Sequence, residues 1–198
     1  MRRLLEAAMW APFHGPVPPW RFVVLGRHAM IAMQQMTLAY YDTHWRSHVW
    51  SSETDEDDDD DTEDLEKSRE RREAASYQRW RMKREEEITG RWGPVSYMVG
   101  IVMQRQAGSK RMNEWEEAAA TACAVQNMHL QASVDPTLAC YWSSWHDAAR
   151  DSEEMRQFLG MGREDKCLGF FMVASCRPDL KDLRQRKVAT HLKVEWRE

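Results

Sequence analysis

The chain has 198 residues and a mass of 23.4 kDa, which suits one compact domain with its own core. Its formal net charge is −4, and an acidic stretch at 51–64 precedes a stretch at 65–89 in which acidic and basic residues alternate. Such interleaved charges are typical of a solvated helix, so we expect no nucleic-acid partner.

The sequence contains no run approaching the roughly 20 apolar residues that span a bilayer, and its first residues lack the apolar core of a signal peptide. We therefore expect no membrane partner and a location in the cytoplasm or inside an organelle. The four cysteines have neither paired spacing nor nearby histidines, so they predict small core residues and no metal site. They are Cys123, Cys140, Cys167 and Cys176.

The beginning of the chain predicts a helix, a rigid turn and a strand. Apolar residues at 4, 5, 8 and 9 lie on one face of a short helix, which ends before Pro12. Four prolines and a glycine follow, and the apolar residues at 21–25 then predict a buried strand. Methionines and leucines recur at helical spacing over 29–40, which predicts an amphipathic helix running towards Trp45 or Trp50.

The acidic stretch at 51–64 has too little apolar surface to offset the entropy of ordering, so it predicts a disordered insertion. The following stretch at 65–89 is rich in Glu, Lys, Arg and Ala and predicts a peripheral charged helix. Tyr77, Trp80 and Met82 are its expected docking points.

Two further strands are predicted at 95–103 and 167–174, where continuous apolar runs indicate burial on both faces. Asn113 and Glu116 have the spacing of a capping box, and small apolar residues over 118–132 predict a central helix with close neighbours. Asp151 is the expected cap of a short helix, which Gly160 and Gly162 close. The charged tail at 177–198 is a possible edge strand or arm.

These elements predict a single α+β domain over residues 1–198, with a small sheet layered between helices. Taken in order, several segments resemble the nitroreductase family, especially its small NAD(P)H-dependent members. The early segments are Leu4-Leu5-Glu6-Ala7-Ala8, Ala11-Pro12 and Pro19-Trp20-Arg21-Phe22-Val23-Val24. The later ones are Gly93-Pro94-Val95, Trp115-Glu116, Ala122-Cys123-Ala124-Val125-Gln126-Asn127, Trp142-Ser143-Ser144, Phe158-Leu159-Gly160 and Asp165-Lys166 to Gly169-Phe170.

The resemblance covers most of the chain except about 41–91 and the tail. It implies a layered fold with a small, mostly antiparallel sheet flanked by helices, and a homodimer with two FMN sites at the subunit interface. It also implies that NADH or NADPH reduces the flavin, which then passes two electrons to a nitro compound, a quinone or a similar small acceptor. Because the flavin carries the hydride in such chemistry, no catalytic side chain is assigned.

The positions that match FMN-contacting residues of the family are His14, Trp142, Ser143, Ser144 and Trp10. Hydroxyl and imidazole groups can donate to flavin oxygens. From residue type alone, His14 is equally an exposed loop histidine, and Trp142 is more often a core aromatic.

Members of the family carry an arginine segment before the first helix that binds the FMN phosphate. Here Met1 already lies in the predicted first helix, so we expect this segment to be lacking, and Arg2 and Arg3 do not replace it. A flavin-free dimer of the same fold, acting as a scaffold or binding module, is therefore the alternative. A purely helical interaction domain without a sheet is a third possibility.

Overall fold

The computed structural model describes residues 1–48, 63–108, 111–177 and 195. The helices are α1 (Arg2–Ala8), α2 (Arg27–His44), α3 (Glu63–Glu86), α4 (Glu114–Ser133), α5 (Asp147–Arg150) and α6 (Glu153–Phe158). A 3₁₀ turn at Trp45–Ser47 follows α2, and a π-helical turn at Glu87–Arg91 follows α3. The strands are β1 (Trp20–Leu25), β2 (Tyr97–Met103), β3 (Leu138–Ser143) and β4 (Lys166–Ser175).

The four strands form one antiparallel sheet in the order β1-β2-β4-β3. Trp20 lies opposite Met103, and Met103 lies opposite Lys166, so β1 and β4 begin at the same end of the sheet. Strand β3 stops short of that end, because Ser143 lies opposite Phe170. The first residues of β4 therefore have no β3 neighbour, and a gap opens along this edge.

The sheet lies between two layers of helices. One face packs against α2, where Met30 and Met33 join Met98, Phe170 and Met172 in a core cluster. The other face packs against α1 and α4. Its core cluster includes Leu4, Ala124, Met128, Val99, Ile101 and Phe171. Successive side chains of β2 and β4 thus pack into the two cores in turn, because side chains alternate between the faces of a strand.

This architecture confirms the predicted α+β fold and excludes the purely helical alternative. The predicted burial of β2 and β4 on both faces is confirmed, since Met98 to Met103 are all buried. The capping box of Asn113 and Glu116 at the start of α4 is also confirmed. Strand β3 was not predicted as a strand.

Several finer predictions are wrong. Ser152, and not Asp151, caps α6, because its hydroxyl accepts a hydrogen bond from the amide of Met155 at 3.2 Å. Of the four cysteines only Cys167 is buried, whereas Cys123 is exposed. Tyr77 docks α3 as expected, but Met82 is exposed.

Residues 51–62 of the predicted disordered insertion lie outside the described residues. The last two residues of that stretch, 63 and 64, belong to α3. Most of the tail at 177–198 also falls outside them. Within the described ranges, every helix is too short or too polar to serve as a membrane span.

Candidate functional site

The chain makes a strained turn immediately after β3, at the segment that resembles a flavin-facing stretch. Trp145 has a φ of 63°, and it is the one residue other than glycine with positive φ among those that the structure describes. Its amide donates to the hydroxyl of Ser143 at 3.0 Å. Backbone strain of this kind is uncommon for a bulky residue and often occurs at functional sites.

The side chain of Trp145 holds this turn in place. It is buried, and its indole N–H donates to the hydroxyl of Thr37 on α2 at 2.9 Å. The Thr37 hydroxyl in turn donates to the carbonyl of Met33 at 3.0 Å. The Trp145 ring also packs edge-on against Phe170, with ring centroids 5.8 Å apart. The turn is therefore fixed to α2 on one side and to β4 on the other.

Gly169 allows β4 to approach this turn. Its φ is 106°, and a Cβ atom placed there would lie 2.2 Å from the carbonyl oxygen of Ser143 and 3.0 Å from the Cα of Ser144. No other residue type fits at this contact. Gly169 thus determines where the Ser143–Ser144 backbone lies.

A cavity of about 660 Å³ occupies the gap beside the first residues of β4. Ala118 and Ala122 of α4 form one wall, and Trp142 of β3 forms another. The Trp142 ring is oriented by its N–H, which donates to the carbonyl of Leu168 at 2.9 Å. The rest of the lining comes from α5, α6, β4 and the segments that connect them: Arg150, Asp151, Ser152, Arg156, Met161, Asp165, Lys166, Cys167 and Leu168.

Three cationic side chains line this cavity, which we call the Trp142 cavity. Arg150 pairs with Asp147 and Asp151, both at 2.8 Å, and also donates to the carbonyl of Ser144. The hydrogen bond to Asp151 raises the pKa of Arg150 above its ordinary value. Arg156 donates to the carbonyls of Gly162 and Asp165, and Lys166 pairs with Glu114.

Cys167 is the thiol in the lining of the Trp142 cavity. Burial raises its pKa to about 11, so it is protonated at neutral pH. Its thiol donates to the carbonyl of Gly169. The burial of Cys167 favours a role in packing.

His14 and Trp10 lie at the other edge of the sheet, beside β1. His14 is exposed and borders a second cavity of about 340 Å³, which Phe13, Trp115 and Cys123 also line. Trp10, just after α1, is 87% exposed.

The structure thus brings Trp142, Ser143 and Ser144 together at β3, whereas His14 and Trp10 lie on the segment before β1, which is the opposite edge strand. The outer face of α4 borders both cavities. Ala118 and Ala122 line the Trp142 cavity, whereas Ala119 and Cys123 line the cavity beside His14.

The sequence reasoning missed Trp145, Arg150 and Arg156 as site residues. The two arginines lie on short helices whose charges have no distinctive spacing, and the positive φ of Trp145 has no sequence signal. The described part of the chain contains no cluster of three or more His, Cys, Asp or Glu side chains suited to a metal ion.

The Nitroreductase family model matches residues 1–175. A comparison with curated proteins found no match to this chain. Among solved structures, a variant of an FMN- and NADPH-dependent nitroreductase from Sphigopyxis sp. strain HMH is 18% identical with a TM-score of 0.60, over 98% of this chain and 87% of that chain.

A nitroreductase with bound FMN from Bacteroides fragilis is 16% identical with a TM-score of 0.58, over 98% of this chain and 86% of that one. An FMN-dependent nitroreductase from Mycobacterium smegmatis, solved with NADPH, is 13% identical with a TM-score of 0.59, over 99% and 87% of the two chains. These likenesses agree in fold with the family match, which covers nearly all of the described residues. The chain belongs to the nitroreductase family, whose membership supports an oxidoreductase role.

Proposed function

We propose that this protein is an FMN-dependent oxidoreductase that transfers electrons from NADH or NADPH to a small acceptor such as a nitro compound or a quinone. We place the FMN in the Trp142 cavity. The observation that carries the proposal is the position of this cavity, which adjoins the strained Ser143–Trp145 turn in a chain of the nitroreductase family.

The cavity suits a flavin ring in size and in the chemistry of its walls. Its volume of about 660 Å³ is within the usual range of cofactor sites. Ala118 and Ala122 present small apolar side chains, so a flat ring can approach α4 closely. Ser143 and Ser144 are not among the residues that line the cavity, but they follow Trp142 directly, and the Ser143 oxygen accepts from the Trp145 amide, which leaves its O–H free to donate. The exposed Ser144 hydroxyl is a second donor.

Arg150, Arg156 and Lys166 are the cations that would hold the FMN phosphate. Each already contacts a carboxylate or a carbonyl of the protein. Phosphate binding would therefore exchange one of these contacts for a charge-assisted hydrogen bond to the ligand. Bound FMN supplies the two-electron chemistry, while Trp142 and the alanines orient it and exclude water.

We further propose that two copies of the chain share each site. The outer face of α4 and the residue after it carry large apolar side chains that are exposed in the single chain: Trp115 at 68%, Leu130 at 54% and Val134 at 74%. A patch of this kind favours a self-complementary interface. Packing two α4 helices against each other would bring the His14 turn of one copy towards the Trp142 cavity of the other. This arrangement reconciles the separated positions of the predicted site residues.

The first test is flavin retention. Purified protein is incubated with FMN, passed over a gel-filtration column and examined for flavin absorbance and its bleaching by NADH or NADPH. Ser144→Trp places a bulky ring beside the carbonyl that Arg150 of the cavity contacts, and it should abolish retention. Ser175→Trp is the matched control, because Ser175 is exposed at the far end of the same pair of strands.

Equal retention by the two variants would contradict the proposed site. Absence of retention by the unaltered protein would favour the alternative function, a flavin-free dimer that acts as a scaffold or binding module.

Subunit mixing tests the shared site. His14→Trp and Ser144→Trp should each abolish flavin binding when alone. A mixed dimer of the two variants would contain one site without either substitution, so about half of the flavin should return. No recovery in a mixed dimer of confirmed composition would show that both residues act in the same subunit.

A further inference from the structure

A third cavity, of about 320 Å³, lies between α2 and the π-helical turn that follows α3. We call it the Gln34 cavity. Its walls are mainly apolar, and Met30, Leu38, Ile88 and Trp92 are all buried around it. It lies on the α2 face of the sheet, whereas Ala118 and Ala122 of the Trp142 cavity belong to the α4 layer. The two cavities are therefore separate sites.

Gln34 has its side-chain amide at this cavity. The residue is only 8% exposed, yet its side chain forms no hydrogen bond with any of the described residues. An amide has two N–H donors and an acceptor oxygen, and those of Gln34 are open to this cavity. Thr37, one turn further along the same helix, is equally buried but has both of its hydrogen bonds satisfied. Gln34 thus presents hydrogen-bonding groups to a cavity whose walls are mainly apolar, and a ligand in the cavity can pair with them.

Contacts among the protein's own residues hold α2 and the π-helical turn in place on the two sides of the Gln34 cavity. Arg27 on α2 donates to the carbonyl of Gly93 at 2.5 Å, which joins α2 to the segment after the π-helical turn. The guanidinium of Arg91 lies 4.6 Å from the ring centroid of Trp92 and covers that ring. Irregular π-helical turns inside or at the end of helices frequently occur at functional sites.

From these observations we infer that the Gln34 cavity binds a neutral aromatic lactam or carboxamide of one or two rings. The apolar walls and the Trp92 ring suit an aromatic body of that size. The amide of Gln34 both donates and accepts, so it complements a group with an adjacent N–H and C=O. Arg27 and Glu85 line the cavity with opposite charges, which favours a ligand without net charge. This inference is independent of the proposed flavin site.

Carbostyril, a bicyclic aromatic lactam, is a suitable probe, and naphthalene is its apolar counterpart without hydrogen-bonding groups. Binding of each to the full chain is measured by saturation-transfer NMR titration. We expect carbostyril to bind, and Gln34→Leu to weaken it by about tenfold or more. Gln78→Leu, at an exposed position of α3 away from the cavity, should bind like the unaltered protein. The preference for carbostyril over naphthalene should disappear in Gln34→Leu.

A thermal melt of the unliganded protein gives a second readout. Because the amide of Gln34 forms no hydrogen bond with the described residues, Gln34→Leu should not lower the melting temperature, whereas loss of a structural hydrogen bond would lower it. A lowered melting temperature would overturn the inference. So would carbostyril binding that is equal in Gln34→Leu and Gln78→Leu, or an absence of carbostyril binding to the unaltered protein.

Discussion

The carboxylate of Glu117 on α4 is completely buried and is paired with the guanidinium of Arg105, which follows β2. Its other oxygen accepts from the amide of Gln106 at 3.3 Å. The side chain of Arg105 is itself only 9% exposed. The pair therefore joins the end of β2 to the first turn of α4, and it fixes the helix that borders both the Trp142 cavity and the cavity beside His14.

Removing one partner of this buried pair should be strongly destabilising. Glu117→Gln leaves the charge of Arg105 buried without a carboxylate, and we expect a loss of about 3 kcal/mol in the free energy of unfolding. Urea denaturation measures it. Glu164→Gln is the control, because Glu164 pairs with Arg111 at 2.9 Å on the exposed surface and should give no measurable change. Equal losses in the two variants would show that the burial of Glu117 has no energetic consequence.

The hydrogen bond between Trp145 and Thr37 should stabilise the turn after β3. Thr37→Val keeps the shape of the side chain but leaves the buried indole N–H without an acceptor, and we expect a loss of about 1 to 2 kcal/mol. Thr43→Val is the matched control. Thr43 lies on the same helix and its hydroxyl donates in the same way to Ala39, but it is exposed, so little should change.

Urea denaturation and flavin retention, measured on the same two variants, check this prediction. If Thr37→Val and Thr43→Val unfold at the same urea concentration, the turn is held by other contacts.

A small sheet between helices could be predicted from the sequence because β2 and β4 are continuous apolar runs and α4 begins with a capping box. Strand β3 could not be predicted in the same way. It is an edge strand whose residues are half-buried or exposed, so it has no continuous apolar run. Its position depends instead on its pairing with β4.

The candidate site was only partly predictable for a related reason. Trp142, Ser143 and Ser144 were found through the resemblance of an ordered series of segments. The backbone conformation of Trp145 runs against the preference of a bulky residue, so only tertiary contacts with Thr37 and Phe170 can impose it. The local sequence pattern does not indicate those long-range contacts.

Gly169 should tolerate no side chain. Gly169→Ala combines a φ of 106° with a Cβ atom 2.2 Å from the Ser143 carbonyl, and we expect a loss of more than about 3 kcal/mol. Gly160→Ala is the control, because Gly160 has a φ of 60° and open space around it, and strain alone should cost about 1 kcal/mol.

Urea denaturation of both glycine variants gives the comparison. A loss in Gly169→Ala no larger than that in Gly160→Ala would mean that the backbone of β4 moves away from Ser143 without penalty.

His146 should make stability depend on pH. Burial lowers the pKa of His146 below its ordinary 6.5, and the charge of Arg84 adds to this, while Glu87 and Asp147 oppose it. The unfolded chain therefore binds a proton that the folded protein resists. The stability that neutral His146 contributes is fully present above pH 6.5, and it is lost as the pH falls from 6.5 towards the pKa of the folded protein.

Replacing this histidine tests the pH dependence. His146→Gln should flatten the decline of the urea midpoint from about pH 7 to about pH 5. His28→Gln, at an exposed position of α2, should retain the decline of the unaltered protein. If His146→Gln leaves the decline unchanged, other groups are responsible for it.

The outer face of α4 should carry the proposed subunit contact. Ala119→Arg places a long cation on this exposed face, in the lining of the cavity beside His14, and multi-angle light scattering should then show a monomer in place of the proposed dimer. Because the site is proposed to need both copies, the same variant should also lose flavin in gel filtration. Ala75→Arg, at an exposed position of α3, is the control and should keep both properties. A monomer that still retains flavin would separate the two proposals, since one chain would then suffice to hold the cofactor through Trp142, Ser143 and Ser144.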